Sequence, residues 1–116
     1  MRLVERQERY LRDSLKVRLG GLAANLARIE SFSDRDEHRE IVYELIEESK
    51  YFIEWSTPEV PLPFQAELVE YQVALALWQL QWQEIWGNPE KRKMIMHEVG
   101  EWAHRILKES GLLDPL

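Results

Sequence analysis

The side chains of this 116-residue chain that could do chemistry lie mainly in its last third. His97, Glu101 and His104 are spaced by four and three residues, so on a helix they share one face. Glu101 and His104 also have the Glu-x-x-His spacing with which some helical bundles hold a carboxylate-bridged iron pair. The helical wheel places both histidines opposite the apolar stripe of the same segment, and no other segment supplies a second Glu-x-x-His. We therefore predict no metal site and no cofactor.

A second candidate site is formed by Arg92 and His97, which are separated by four residues in the hexapeptide R-K-M-I-M-H. The hexapeptide resembles the Arg-x4-6-His motif of the HEPN superfamily, small helical bundles that include metal-independent ribonucleases and partners of nucleotidyltransferases. The resemblance implies that Arg92 holds the scissile phosphate and that His97 acts as acid or base across a dimer cleft. It covers this hexapeptide and the helical character of the chain. The alternative interpretation is a surface arginine and histidine near the start of a helix.

The five tryptophans are a third candidate, because aromatic rings can line a cavity for a flat apolar ligand such as a pigment or a lipid. No polar side chain is placed among them to orient such a ligand, and tryptophans in this number more often form a core. They are Trp55, Trp78, Trp82, Trp86 and Trp102. A ligand-binding bundle is therefore the third hypothesis for the function.

Three of these tryptophans belong to one predicted helix, residues 64–86, around which the fold should be organised. One broad face of this helix is apolar and is expected to form the core; it consists of Leu68, Tyr71, Leu75, Trp78, Trp82, Ile85 and Trp86. A second apolar stripe lies on nearly the opposite side and consists of Val69, Val73, Ala76 and Leu80. A helix of a bundle has one inner arc and a polar outer face, so the second stripe predicts a surface that binds a partner.

The apolar stripe of the first predicted helix, residues 3–30, keeps its phase across Gly20 and Gly21, so we expect one long helix through both glycines. Gly20, Ala24 and Ala27 form a small-residue face to which another helix can come close. We predict a twofold homodimer in which this face meets Val69, Val73, Ala76 and Leu80 of the second copy. A basic strip would then lie near the acidic middle of the partner; it consists of Arg2, Arg6, Arg9 and Lys16.

The remaining segments complete an all-α fold. A second helix is expected to end near residue 56, and the proline-rich residues 57–64 are expected to be a non-helical connection. Gly87, Asn88 and Pro89 mark a boundary, and the last helix should run from Pro89 to Ser110 before Gly111. We therefore predict a single domain, residues 1–116, that folds as an up-and-down four-helix bundle with a long N-terminal helix.

Composition narrows the function further. The absence of cysteine excludes disulfides, thiolate zinc sites and a cysteine nucleophile. The net charge of −6 weakens long-range attraction to nucleic acid. No apolar run approaches the roughly 20 residues of a membrane span, and the first residues lack the apolar core of a secretory signal, so we expect a cytoplasmic protein without a membrane partner. The leading hypothesis is a non-enzymatic interaction module that self-associates, with a further protein partner left open and the biological process unspecified.

Overall fold

A computed structural model describes residues 2–112 of the chain. The elements in this range are all helical and include no strand, so the predicted all-α class is confirmed. The α-helices are α1 (Leu3–Leu11), α2 (Leu15–Phe32), α3 (Arg39–Ser56), α4 (Leu62–Leu80), α5 (Trp82–Trp86) and α6 (Pro89–Ser110), with short 3₁₀ turns at Asp36–His38 and Thr57–Glu59. Six helices are therefore present between residues 2 and 112 where the sequence predicted four. None of them is both long and apolar enough to cross a membrane.

Helix α2 is the central element of the core. It packs against α3 on one side and against α6 on another, and α3 in turn packs against α4. Leu22, Leu26 and Ile29 place an i, i+4, i+7 stripe of α2 in this core with no exposed surface. The partner helices contribute fully buried aliphatic residues of the same kind: Val42, Ile46, Ile53, Leu68, Leu75, Val99 and Ile106. Burial of these side chains from four different helices is the main favourable term in folding.

The prediction of one long N-terminal helix is wrong, because the helix is interrupted at Ser14, between α1 and α2. Ser14 has an extended backbone (ψ 157°), and its side chain accepts a hydrogen bond from the Val17 N–H at 3.3 Å, which caps α2. The glycine pair lies inside α2, as expected. The break turns α1 away from the stripe of α2, so Val4 and Leu11 are exposed instead of joining the core.

The proline-rich connection is shorter and more helical than predicted. Thr57–Glu59 forms a 3₁₀ turn, and α4 begins at Leu62, one residue before Pro63. A proline is tolerated there because the N–H groups of the first helical turn have no intrahelical acceptor. At its other end α4 stops at Leu80, since Gln81 leaves helical geometry (φ −106°, ψ 21°) before the five-residue α5.

The boundaries of the last helix are confirmed. The Asn88 side chain accepts hydrogen bonds from the N–H groups of Glu90 and Lys91, and Pro89 occupies the first position of α6. Gly111 ends α6 in the left-handed conformation with φ 79°, which a residue without Cβ adopts at little cost. This turn directs the following residue toward α2, where the Leu112 side chain lies directly over Gly20.

Candidate interaction surface

The outer face of α4 carries a row of apolar side chains, most of which the fold leaves exposed. Leu62 and Leu80, at its two ends, keep 78% and 82% of their surface exposed, and Val69 and Val73 keep about half of theirs. The whole row, which we name the outer stripe, consists of Leu62, Ala66, Val69, Val73, Ala76 and Leu80. Leu77 lies beside it and is half exposed. A folded chain rarely leaves an entire helix face of this composition in water.

The inner face of α4 is already filled, so the outer stripe has no second core to enter. Leu68 and Leu75 are fully buried on that side, with Phe64 and Trp78 next to them. Both apolar faces belong to the same 19 residues, and only one of them can point at α3 and α6.

On the side of α3, polar side chains fix the rotation of α4. The amide of Gln72 donates to the backbone carbonyl of Lys50 at 3.2 Å. Gln79 donates to Glu47 at 2.9 Å and accepts from the Lys50 ammonium at 2.6 Å. These bonds join two helices at two levels, and they hold the outer stripe turned away from α3.

On the side of α6, an ion pair and an aromatic stack fix the rotation of α4. Arg105 donates two hydrogen bonds of 2.9 Å to the carboxylate of Glu67, and this pairing holds the pKa of Glu67 below its usual range. Tyr71 stacks on Trp102 with ring centroids 4.6 Å apart. Burial, with the neighbouring Glu67 carboxylate, raises the pKa of Tyr71 to about 12. Both flanks of α4 are thus occupied within the chain, and the stripe between them is not.

The small-residue face predicted on α2 is divided between the chain's own core and solvent. Gly20 lies under the Leu112 side chain of the same chain. Ala23 is buried in the core, whereas Ala24 and Ala27 are exposed. Only these two alanines of the predicted face are open to a second copy, while Val69, Val73 and Leu80 of α4 are open along the whole helix.

The uneven charge of the sequence is used within the chain. Arg6 of α1 forms an ion pair with Glu48 of α3 at 2.7 Å. Arg18, whose side chain is almost fully buried, pairs with Glu59 at 2.8 Å and donates to the backbone carbonyl of Asp13. The pairing holds the pKa of Glu59 below its usual range. Arg6 of the predicted basic strip and the buried Arg18 therefore have acidic partners in their own molecule.

Arg92 and His97, the ribonuclease candidates, point in different directions. The Arg92 guanidinium donates to the backbone carbonyl of Trp86 at 2.6 Å, lies over the Trp86 ring and contacts Asp36 at 3.4 Å. Its side chain is only 11% exposed, whereas His97 is exposed. Five residues of helix rotate one side chain about 140° from the other, so within one copy they do not converge on a common phosphate. The ribonuclease hypothesis stays a prediction that depends on a second copy.

Trp78, Trp82 and Trp86 belong to the core, and Trp102 packs against it. Trp78 and Trp102 are parallel with centroids 5.2 Å apart, and Trp82 lies 5.1 Å from Trp86. Trp86 Nε1 donates to the Asp36 carbonyl at 2.8 Å. A shallow cleft of about 310 Å³ beside Trp82 is otherwise lined by Arg39, Glu40, Tyr43 and Glu44. A wider cleft of about 530 Å³ between α1 and α3 has no tryptophan in its lining. The tryptophan-lined ligand pocket stays a prediction.

The histidine-rich face of α6 points to solvent and not into the core. His97, Glu101 and His104 are all exposed. Between residues 2 and 112, no three His, Asp or Glu side chains are grouped so that they could hold a metal ion.

Comparison of the chain with known protein families, with characterised proteins and with solved structures gives no match.

Sequence reasoning found four residues of the outer stripe and missed Leu62 and Ala66, as well as Leu77 beside it. Leu62 was missed because its neighbouring prolines predict a non-helical connection for residues 57–64. Ala66 lies inside the predicted helix, but the predicted stripe begins only at Val69. A signal was present: Leu62 and Ala66 continue the three- and four-residue spacing of the stripe toward the N-terminus. A helix that begins at Leu62 and keeps this spacing contains the whole row.

Proposed function

We propose that the chain is a non-enzymatic helical interaction module that acts as a homodimer. The observation that carries the proposal is the outer stripe of α4, which is exposed although both of its flanks are fastened to the chain's own helices. Full burial of one Leu or Val side chain is worth about 1.5–3 kcal/mol. Each side chain of the stripe that a partner covers therefore contributes favourable free energy to binding. Such a row on an otherwise well-packed domain is typical of a binding surface.

The arrangement of the long helices supports the up-and-down four-helix bundle as the finer description of the fold. Helix α2 packs between α3 and α6, and α3 packs against α4. The ring closes between α4 and α6 through Arg105, Glu67 and the stack of Tyr71 on Trp102. In this description α5 continues α4 after the interruption at Gln81, and α1 is an accessory helix on α3. The bundle would then serve as a rigid support for the outer stripe.

A second copy is the occupant that we favour, because the stripe is apolar and its borders carry little charge. No Lys or Arg occurs between Lys50 and Lys91, so an acidic partner would find no complementary cation along α4. A cytoplasmic location and an additional protein partner remain predictions from the sequence.

The test is the double variant Val73→Glu with Leu80→Lys, which puts two charges into the stripe without changing the net charge. We expect the parent to sediment as a dimer at tens of micromolar and the variant as a folded monomer with the parent's circular dichroism. The matched control is Val17→Glu with Met94→Lys, at two half-exposed apolar residues of α2 and α6. It introduces the same charges elsewhere and should leave the dimer intact.

A parent that is monomeric at these concentrations would contradict the proposal. So would a control variant that dissociates as readily as the stripe variant, because the effect would then not belong to α4. If the stripe variant unfolded, the outer stripe would be part of the core of the molecule in solution.

A further inference from the structure

The outer stripe has the spacing of a coiled-coil seam. Successive members are separated by four, three, four, three and four residues, the a and d positions of a heptad repeat. This spacing keeps all six side chains on one line along α4. It is the pattern by which one helix packs lengthwise against another, and none of the helices between residues 2 and 112 packs there.

The stripe also has the same composition in both directions. From Leu62 to Leu80 its members are Leu, Ala, Val, Val, Ala and Leu, and from Leu80 back to Leu62 the order is identical. The centre of this palindrome falls at Tyr71. A twofold axis that passes beside α4 at this level, perpendicular to the helix, relates each half of the stripe to the other half in a second copy.

We propose that two copies pair through α4 in antiparallel orientation about such an axis. Leu62 then meets the partner's Leu80, Ala66 meets the partner's Ala76, and Val69 meets the partner's Val73. Every layer joins residues of equal size: leucines close the two ends, valines fill the centre, and the alanine layers let the helices come close. The opposed helix dipoles favour the same orientation. This inference rests on the proposed function, since it names the partner face of that homodimer.

The size of the seam sets the strength of the dimer. Eighteen residue steps make it about 27 Å long, and a contact about 10 Å wide gives about 300 Å² per copy. Stable complexes bury about 800 Å² per partner. Because the seam buries less than this, it supports a reversible dimer and not a permanent one. We expect dissociation constants in the micromolar range.

The residues that border the seam are mostly uncharged, and Glu70 is the exception. Gln65, Gln72 and Gln79 lie along one border. On the other border is the exposed carboxylate of Glu70, one residue from Val69. In an antiparallel pair, residues of the same border face each other near the axis, so Glu70 lies close to the partner's Glu70. Replacing Glu70 with Gln should remove this repulsion and tighten the dimer about twofold to fivefold. In a parallel pair Glu70 would lie near the partner's Gln65, and the affinity would not change.

The decisive experiment uses the fact that the chain has no cysteine, so introduced thiols are unique. Leu80→Cys and Leu62→Cys are prepared separately, one of them with a size tag, and both are first shown to sediment as dimers when reduced. Mild oxidation of the mixture should link the two different chains. Each variant alone should stay unlinked, because like ends lie about 27 Å apart in the antiparallel pair.

The outcomes separate the orientation from the proposed function. Linking of Leu80→Cys to itself shows a parallel pair and overturns the antiparallel inference while the homodimer stands. Linking of Leu80→Cys to Ala24→Cys places α4 against α2 of the partner, which also overturns the inference and leaves the homodimer. Dimers whose affinity is unchanged or lowered by Glu70→Gln contradict the antiparallel contact as well. A monomeric parent overturns both the inference and the proposed function.

Discussion

Replacing Tyr10 with phenylalanine tests how α1 is held to the rest of the molecule. Tyr10 is the buried residue of α1, and its hydroxyl donates to the Arg18 carbonyl at 3.0 Å and shares a hydrogen bond with Ser56 Oγ at 2.9 Å. Its ring stacks on Phe52 with centroids 4.1 Å apart. Phenylalanine keeps the ring contacts and loses only the hydroxyl. Near pH 8 we therefore expect the variant to be less stable by about 1–2 kcal/mol.

The difference should depend on pH in a defined direction. Burial raises the pKa of Tyr10 from its usual 10.0 to about 12. The unfolded chain therefore releases this proton first as the pH rises above 10, and the stability that the buried neutral hydroxyl contributes is lost between about pH 10 and 12. The loss is about 1.4 kcal/mol per pH unit in this window. The free energies of unfolding of the parent and of Tyr10→Phe should thus converge near pH 11, and above it the variant should be the more stable.

The assay is urea unfolding of both proteins at a series of pH values, followed by tryptophan fluorescence. Other groups that titrate in this range affect parent and variant alike, so the difference isolates Tyr10. Tyr43→Phe is the control, because Tyr43 is exposed and its removal should leave the pH dependence unchanged. A parent-to-variant difference that stays constant up to about pH 11.5 would refute the buried, hydrogen-bonded tyrosine and with it the docking of α1 on α3 through Tyr10.

Two further substitutions test the core and the enzyme alternative. Trp82→Ala should lower the free energy of unfolding by about 3–5 kcal/mol, because the ring is 7% exposed and contacts Tyr43 and Trp86. Met94→Ala, at a half-exposed side chain, is the control and should cost under about 1 kcal/mol. An equally small loss for Trp82→Ala would mean that the ring lies at the surface. We expect the purified parent to leave RNA intact; cleavage that His97→Ala abolishes without loss of helical content would establish the HEPN-like alternative. Arg92→Ala is the less informative variant, since it also removes the hydrogen bond to the Trp86 carbonyl.

Local chemistry was enough to predict several parts of the fold. The all-α class follows from helical periodicity in every long segment, and the limits of α6 follow from Asn88, Pro89 and Gly111. A cap, a first-turn proline and a left-handed glycine act within a few residues of themselves, so their effect does not depend on the rest of the molecule. The two apolar sides of α4 were likewise visible as a pattern of spacing.

Tertiary contacts decided the rest. Ser14 caps α2 and breaks the first helix because Arg18 and Tyr10 bridge the break, and these bonds need Ser56 and Glu59 from later in the chain. Gly20 is covered because the turn at Gly111 carries Leu112 across it, a contact between residues far apart in sequence.

The sequence by itself determined that α4 has two apolar faces, and it predicted which of them forms the core: the face of Leu68, Leu75 and Trp78, which the structure buries. Periodicity does not determine the exact rotation of the helix, since it records only where apolar residues recur. The tertiary structure decided that rotation: Glu47 and Lys50 on α3 hold one flank of α4, and Arg105 and Trp102 on α6 hold the other. Once those flanks are paired, rotating α4 to bury the outer stripe would break every one of these contacts and expose Leu68 and Leu75. The exposure of the outer stripe was thus predictable from the sequence, whereas the long-range pairing that holds α4 in this rotation is encoded by no local pattern.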